Sequence, residues 1–263
     1  MKKYLVVGNP IEHSLSPKLH NYWIKENNLN ASYNMKKLNE DDLEETILEV
    51  KNERIHGINV TLPFKKKIIR FVDQLTPIAE EAQSVNTIFK KNNKIIGDNT
   101  DIEGFEKSLN YINYDLKDKK VFVLGAGGVA LSIILALKRK KVSKIYISNR
   151  TEKEPNSLKE RYSDLKIIKW GKICDFDLII NATSLGLKSD DRINLDFSNG
   201  GEKKLFYDVI YNPRKTNFLS KGGELGNKIA NGKMMFVYQA QLSFRIWHNI
   251  LPKIDDKIIK LLD

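Results

Sequence analysis

Val121-Phe122-Val123-Leu124-Gly125-Ala126-Gly127-Gly128-Val129-Ala130 is the stretch whose reading decides the architecture. The first four residues are uncharged, branched or aromatic, as in a strand buried on both faces. Glycines then turn the chain, and the pattern from Gly127 to Arg139 is helical. The turn fits G-x-G-x-x-A, with Ala130 as the third small residue. The first glycine of such a turn permits the tight bend, and the second lets backbone approach a pyrophosphate. The small third residue lets the helix pack close to the strand, with its N-terminus toward the phosphates. A glycine pattern alone is weak, but placed between a strand and a helix it points to a dinucleotide site. Gly125, Ala126, Gly127, Gly128, Val129 and Ala130 are therefore expected to cradle a cofactor.

The next strand, Lys144 to Ser148, ends in Asn149-Arg150-Thr151. An NAD site places an Asp or Glu about twenty residues beyond the glycines, to accept from the ribose 2′-hydroxyl. Here Arg150 stands there, and a guanidinium suits a 2′-phosphate. NADP(H) is the expected cofactor, with Asn149, Arg150 and Thr151 at its 2′ end.

Outward from this unit, strand-like and helix-like patterns alternate, which argues α/β with largely parallel sheets. On the N-terminal side, strands are expected at Lys3 to Val7, Ala31 to Lys37 and Ile55 to Val60. Val85 to Lys90 and Lys94 to Gly97 are expected to pair as a hairpin across Lys91-Asn92-Asn93. Ser16-Pro17 reads as an N-cap and first helical position of a helix to about Glu26, and Thr76-Pro77 repeats the signal. Asp41 to Asn52 is amphipathic, and a short helix follows Pro63. On the C-terminal side, strands are expected at Phe176 to Ile180, Lys204 to Asp208 and Lys228 to Ala230. Helical spacing runs from Met235 through Ile250, and Pro252 separates a last helix at Ile254 to Leu262.

The chain has 263 residues, 41% hydrophobic and 29% charged, an ordinary globular composition with no repeat or low-complexity segment. Its longest uncharged, mainly apolar run, Val121 to Leu137, approaches membrane-spanning length, but the glycines fit a strand-turn-helix better. The apolar stretch after Met1-Lys2-Lys3 is too short for a signal peptide. The lone Cys174 makes no intrachain disulfide, and His13, His20, His56 and His248 show no metal spacing. No metal and no membrane are expected, and a cytoplasmic location is. A net charge of +11 raises the question of nucleic acid. The lysines are scattered through Lys65–Lys67, Lys90–Lys91, Lys117–Lys120 and Lys138–Lys141 without interleaved aromatics, so they read as a solvated surface.

Four N-terminal segments join small polar residues to strand ends: Gly8 to Pro17 (GNPIEHSLSP), Asn59 to Lys65 (NVTLPFK), Ser84 to Thr87 (SVNT) and Gly97 to Gly104 (GDNTDIEG). Beyond the glycine turn come Asn181 to Gly186 (NATSLG), Tyr207 to Tyr211 (YDVIY) and Val237 to Ala240 (VYQA). In this order, over nearly the whole chain, they resemble the shikimate dehydrogenase family. The resemblance implies two α/β domains, with the cofactor on a Rossmann domain and the substrate in the cleft between them. Its bounds would be 1–101 plus 236–263 for the substrate domain and 102–235 for the NADP domain.

The resemblance also implies residue roles. Ser14, Ser16 and Thr61 would hold the carboxylate of shikimate or 3-dehydroshikimate, with Tyr211 close by. Asn59, Asn86, Asp101 and Gln239 would contact ring hydroxyls, which present both donors and acceptors. Lys65 and Asp101 would be catalytic, because an alkoxide formed at a ketone needs a proton and an ammonium can stabilise and protonate it. Asn181, Thr183 and Ser184 would lie beside the nicotinamide end, with Met234 and Met235 in its wall. Two departures from the family pattern stand out. Lys153 is a candidate for the further basic residue the family often carries, but Glu154 and Pro155 follow it and weaken the phosphate clamp, and Asn231-Gly232-Lys233 differs from the family's glycine-rich run. A quinate/shikimate dehydrogenase with broader substrate and NAD use is the alternative. The chain would act as a monomer or homodimer.

Overall fold

The structure is a computed structural model that describes residues 1–188 and 190–262, with Asn199 by its backbone alone. It divides into two compact units, Met1–Gly104 with Val237–Asp263, and Phe105–Phe236.

The first unit opens with β1 (Lys2–Gly8), α1 (Ser16–Glu26), β2 (Ala31–Lys37), α2 (Leu43–Lys51) and β3 (Gly57–Val60). Next come β4 (Gln74–Leu75), α3 (Pro77–Ala82), β5 (Thr87–Lys91) and β6 (Lys94–Asp98), and α4 (Asp101–Tyr111) leads out of the unit. Its sheet has the order β2-β1-β3-β5-β6-β4. The sheet is mixed: β1 runs parallel to β2 and β3, but β5 is antiparallel to both β3 and β6. The reason is the expected hairpin. Asn92 and Asn93 both sit at positive φ (50° and 60°), the two-residue turn that Asn tolerates and that matches strand twist.

Leucine, isoleucine and valine from β1, α2, β3, β5 and β6 fill one side of this sheet, among them Val7, Leu43, Ile47, Ile58, Ile88 and Ile95. An aromatic group from α1, β2 and the helix Lys233–His248 includes Trp23, Tyr33, Phe244 and Trp247, the last donating its indole N–H to the carbonyl of Ile88 at 3.1 Å. Ser16-Pro17 begins α1 differently from the expectation. Leu15 is the N-cap and Ser16 the first helical residue. Ser14 instead serves the helix end, its Oγ accepting from the Ser16 N–H at 3.3 Å.

The second unit holds β7 (Lys120–Leu124), α5 (Gly128–Arg139), β8 (Lys144–Ser148), α6 (Lys153–Arg161), β9 (Lys166–Ile167) and β10 (Leu178–Asn181), then β11 (Leu205–Asp208), α7 (Asn217–Glu224) and β12 (Lys228–Ala230). The chain then returns to the first unit through α8 (Lys233–His248) and ends with α9 (Asp256–Leu261). All five strand pairings in this second sheet are parallel, in the order β12-β11-β10-β7-β8-β9. Counted within the unit that order is 3-2-1-4-5-6 read from β9, the doubly wound dinucleotide fold. The sequence pattern did not anticipate α4, α6 and α7. Among the described residues no helix is long and apolar enough to cross a membrane.

One prediction arises from the aromatic group. His20 is 1% exposed, stacks on Tyr33 at 4.1 Å, and neither ring nitrogen has a hydrogen-bond partner. Burial pushes its pKa down to about 3, and burial beside Phe244 and Tyr4 lowers that of His248 to about 4. Both depressions mean that the unfolded chain binds more protons below its own pKa of about 6.5. Stability is therefore complete above that pH and falls as the pH drops toward the folded values. The buried His20 removes about 2 kcal/mol between pH 6.5 and pH 5, and the half-buried His248 contributes less because solvent screens it. Urea unfolding at the two pH values is expected to show the loss, with His20→Phe cutting it by more than half; an unchanged pH dependence in the variant would assign it elsewhere.

Candidate active site

In the first unit, Val60 ends β3, and the Thr61 N–H donates to the Val7 carbonyl at 2.9 Å. A turn closes with the Phe64 N–H on the Thr61 carbonyl at 2.9 Å, and Phe64 and Ile68 drop into the core at 2% and 1% exposure. Lys65 sits between these two anchors, and its own carbonyl accepts from Val85 N–H at 2.8 Å. The backbone thus holds Lys65 while Lys66 and Lys67 face solvent. Lys65 Nζ donates to Asp101 Oδ2 at 2.6 Å, and the two side chains are only 12% and 6% exposed.

Asp101 is positioned just as firmly. It begins α4, where the Asn99 side chain accepts from its N–H and from that of Ile102, at 3.1 and 3.3 Å. Asn86 Nδ2 donates to the other carboxylate oxygen at 2.9 Å, and Asn86 Oδ1 accepts from the Thr100 N–H at 2.8 Å. Gln239 on α8 reaches the same amide, its Oε1 3.4 Å from Asn86 Nδ2. Lys65, Asp101, Asn86 and Gln239 therefore form one connected group. The Ser14 hydroxyl accepts from backbone and keeps its own proton to donate.

In the second unit, β7 ends at Leu124 in register with Ser148 of β8, and the Gly125 N–H donates to the Ser148 carbonyl at 2.7 Å. Gly125 has φ +104°, and a Cβ there would lie 2.8 Å from the Ala182 carbonyl oxygen, so only glycine fits. Gly127 differs: a Cβ there would meet nothing within 4 Å. The protein does not require glycine at 127, whereas an external group lying against its backbone would. Ala130 is fully buried, and α5 is a 12-residue helix whose N-terminus opens at this turn. The residues fit a dinucleotide's pyrophosphate.

A family model described as the shikimate dehydrogenase substrate binding domain matches residues 6–88, and one described as shikimate / quinate 5-dehydrogenase matches residues 107–215. The shikimate dehydrogenase (NADP(+)) of Pelagibacter ubique (strain HTCC1062) is 55% identical over 262 residues, covering 100% of this chain and 99% of that protein. The chain belongs to the shikimate dehydrogenase family. Among solved structures, shikimate dehydrogenase from Aquifex aeolicus aligns with a TM-score of 0.89 at 32% identity, over 100% of this chain and 97% of that one. Shikimate 5-dehydrogenase from Thermus thermophilus, in complex with NADP(H) and shikimate, aligns at 0.91 and 29% identity, over 100% and 98%.

Three expected contact residues of this chain are bound up inside the protein. Asn59 Oδ1 accepts from the Tyr33 hydroxyl at 2.7 Å, and its Nδ2 faces the Asn86 carbonyl, Thr87 Oγ1 and Ser243 Oγ at 3.0 to 3.2 Å. Asn59 is 6% exposed and braces β3 against β5 and α8. Asn181 donates to the Leu185 carbonyl and to Asp208 Oδ1, each at 3.0 Å, and accepts from the Thr183 N–H and hydroxyl at 3.0 and 2.7 Å. Thr183 Oγ1 in turn accepts from the Leu185 N–H at 3.0 Å. Both residues shape the loop after β10, against which Gly125 packs, and Ser184 is exposed there. Tyr211 lies in the second unit, stacked on Phe236 at 4.3 Å. Met234 and Met235 are buried packing residues at 8% and 5% exposure.

Asp208 escaped the sequence reading. It is fully buried at the end of β11, and burial pushes its pKa up to about 6 against hydrogen bonds from Thr216, Ile210 and Asn181. The only advance signal was its place in Tyr207-Asp208-Val209. Thr87 and Thr100, which lie inside the SVNT and GDNTDIEG segments but were given no role, share a buried hydroxyl network under Asn59 and Asn86 with Ser243, which lay outside every motif.

Proposed function

We propose that this chain catalyses the reversible NADPH-dependent reduction of 3-dehydroshikimate to shikimate, a step toward chorismate and the aromatic amino acids. The buried Lys65–Asp101 pair, 2.6 Å apart, carries the reading. NADPH, when bound, supplies the hydride. Lys65 gives its proton to the oxygen of the reacting carbonyl and takes one back in the reverse direction. Asp101 holds the ammonium and shares a ring hydroxyl, and Asn86 keeps the carboxylate oriented. The hydroxyls of Ser14, Ser16 and Thr61 bind the substrate carboxylate, and Gln239 takes a ring hydroxyl. Low exposure around Lys65 strengthens its field on the developing alkoxide. Arg150, with Asn149 and Thr151, faces the 2′ end of the cofactor. The enzyme works in the cytoplasm, as a monomer or homodimer.

Reduced-nicotinamide absorbance tests the reading on the full chain. Turnover is expected with shikimate and NADP, and at least tenfold lower kcat/KM with quinate. Quinate used as well as shikimate would move the protein to the broader quinate/shikimate type, and a folded protein inactive on both would end the assignment.

A further inference from the structure

The end of β8 holds a feature that Arg150 alone does not prepare for. In a doubly wound sheet the residues after the second strand meet the ribose of the adenosine half, and their charge selects between a 2′-hydroxyl and a 2′-phosphate. In this chain Asn149, Arg150 and Thr151 follow that strand, stitched to the glycine turn through Ser148. Helix α6 then begins at Lys153, and Pro155 is accommodated in its first turn, where a missing N–H leaves no bond unmade. This start brings Glu154 back over the strand end. Its Oε2 accepts a hydrogen bond from the Thr151 hydroxyl, and Asn149 Nδ2 lies 3.4 Å from the same oxygen. Asn149 Nδ2 also bonds the Thr151 carbonyl and hydroxyl at 3.0 Å each. Two of the three groups expected at the 2′ end are therefore already turned onto a carboxylate of the protein itself.

We propose that Glu154 is a specificity-determining residue which narrows the preference for NADPH over NADH, without reversing it. The inference rests on the function proposed above and deepens it. A 2′-phosphate entering this corner brings about two negative charges beside Glu154 and must compete with it for the Thr151 and Asn149 donors. A ribose 2′-hydroxyl meets no such opposition, because it can donate to the carboxylate as it does to the acidic residue of an NAD site. Arg150 and Lys153, both exposed, supply the positive charge that keeps the phosphate favoured. The repulsion, in water-like surroundings, amounts to about tenfold in affinity for the phosphorylated cofactor.

Calorimetric titration of the whole protein with NADP+ and with NAD+ separates the two terms without depending on turnover. Glu154→Gln keeps an acceptor for Thr151 and removes the charge. It is expected to tighten NADP+ binding about tenfold and to leave NAD+ within about twofold. Glu154→Lys is expected to tighten NADP+ further and to weaken NAD+. Circular dichroism melting establishes that both variants are folded. NADP+ affinity unchanged in both variants, or NADP+ and NAD+ affinities shifted by the same factor, would reduce Glu154 to a brace for α6 and overturn the inference. A wild-type protein that binds neither dinucleotide would remove the cofactor reading and the inference together. If NADP+ tightens as expected but shikimate is not oxidised, the inference holds and only the proposed substrate fails.

Discussion

Lys65→Met is expected to lower kcat for shikimate oxidation about a thousandfold, within the range that a positioned acid–base group contributes. Methionine keeps much of the side chain's length and loses both charge and proton. The variant leaves Asp101 buried without its cation, and breaking such a pair from one side costs about 3–5 kcal/mol. Asn86 still donates to Asp101, so part of that cost is offset. A thermal melt beside the kinetics keeps the two effects apart. Lys65→Arg is the more telling companion. Arginine restores the cation and the ion pair, but its guanidinium does not release a proton near neutral pH. Folding stability should therefore return in Lys65→Arg while kcat stays low. Recovery of most of the activity would mean that charge, not proton transfer, is what Lys65 contributes. A Lys65→Met enzyme within tenfold of wild type would remove Lys65 from the chemistry.

What the sequence made visible depended on whether the signal was local. The strand-turn-helix around Gly125 was plain because burial, bend and helix start are adjacent in the chain. The Asn92-Asn93 hairpin was plain because two residues must take positive φ, and Asn tolerates it. Helix α6 was hidden because its stretch is strongly polar, with only Pro155 and Leu158 buried, so no apolar stripe announces it. Helix α7 was hidden for another reason. It carries Gly222 and Gly223, poor helix formers, and Gly222 is there because a Cβ would lie 2.5 Å from the Phe206 ring. Long-range polar bracing was the least legible of all. Asn59 reads as a small polar residue at a strand end, and only the fold brings Tyr33 and Ser243 to it. The same holds for Glu154. Its place after Lys153 pointed to a weakened phosphate clamp, but the contact with Thr151 depends on where α6 begins.

The glycine turn gives the second large effect, because its two glycines should fail in different measurements. Gly125→Ala forces a side chain onto φ +104° and sets a Cβ 2.8 Å from the Ala182 carbonyl oxygen and 2.9 Å from Thr183 Cγ2. The obstacle is backbone, so it cannot swing aside, and the loop after β10 must move. About 3 kcal/mol is expected, close to 10 °C in the thermal midpoint of a chain this size. Gly127→Ala meets open space at φ −75°, ψ −170°, a backbone conformation that alanine also adopts. Its stability cost is only that of a poorer helix N-cap, about 1 kcal/mol or less. If the pyrophosphate lies against this backbone as proposed, the added methyl group obstructs it, so KM for NADPH is expected to rise about tenfold or more while KM for shikimate stays near wild type. If Gly127→Ala instead melted early with normal cofactor affinity, the glycine would be structural and the pyrophosphate would have to lie elsewhere. The two variants together thus separate the glycine that lets the protein close on itself from the glycine that leaves room for the cofactor.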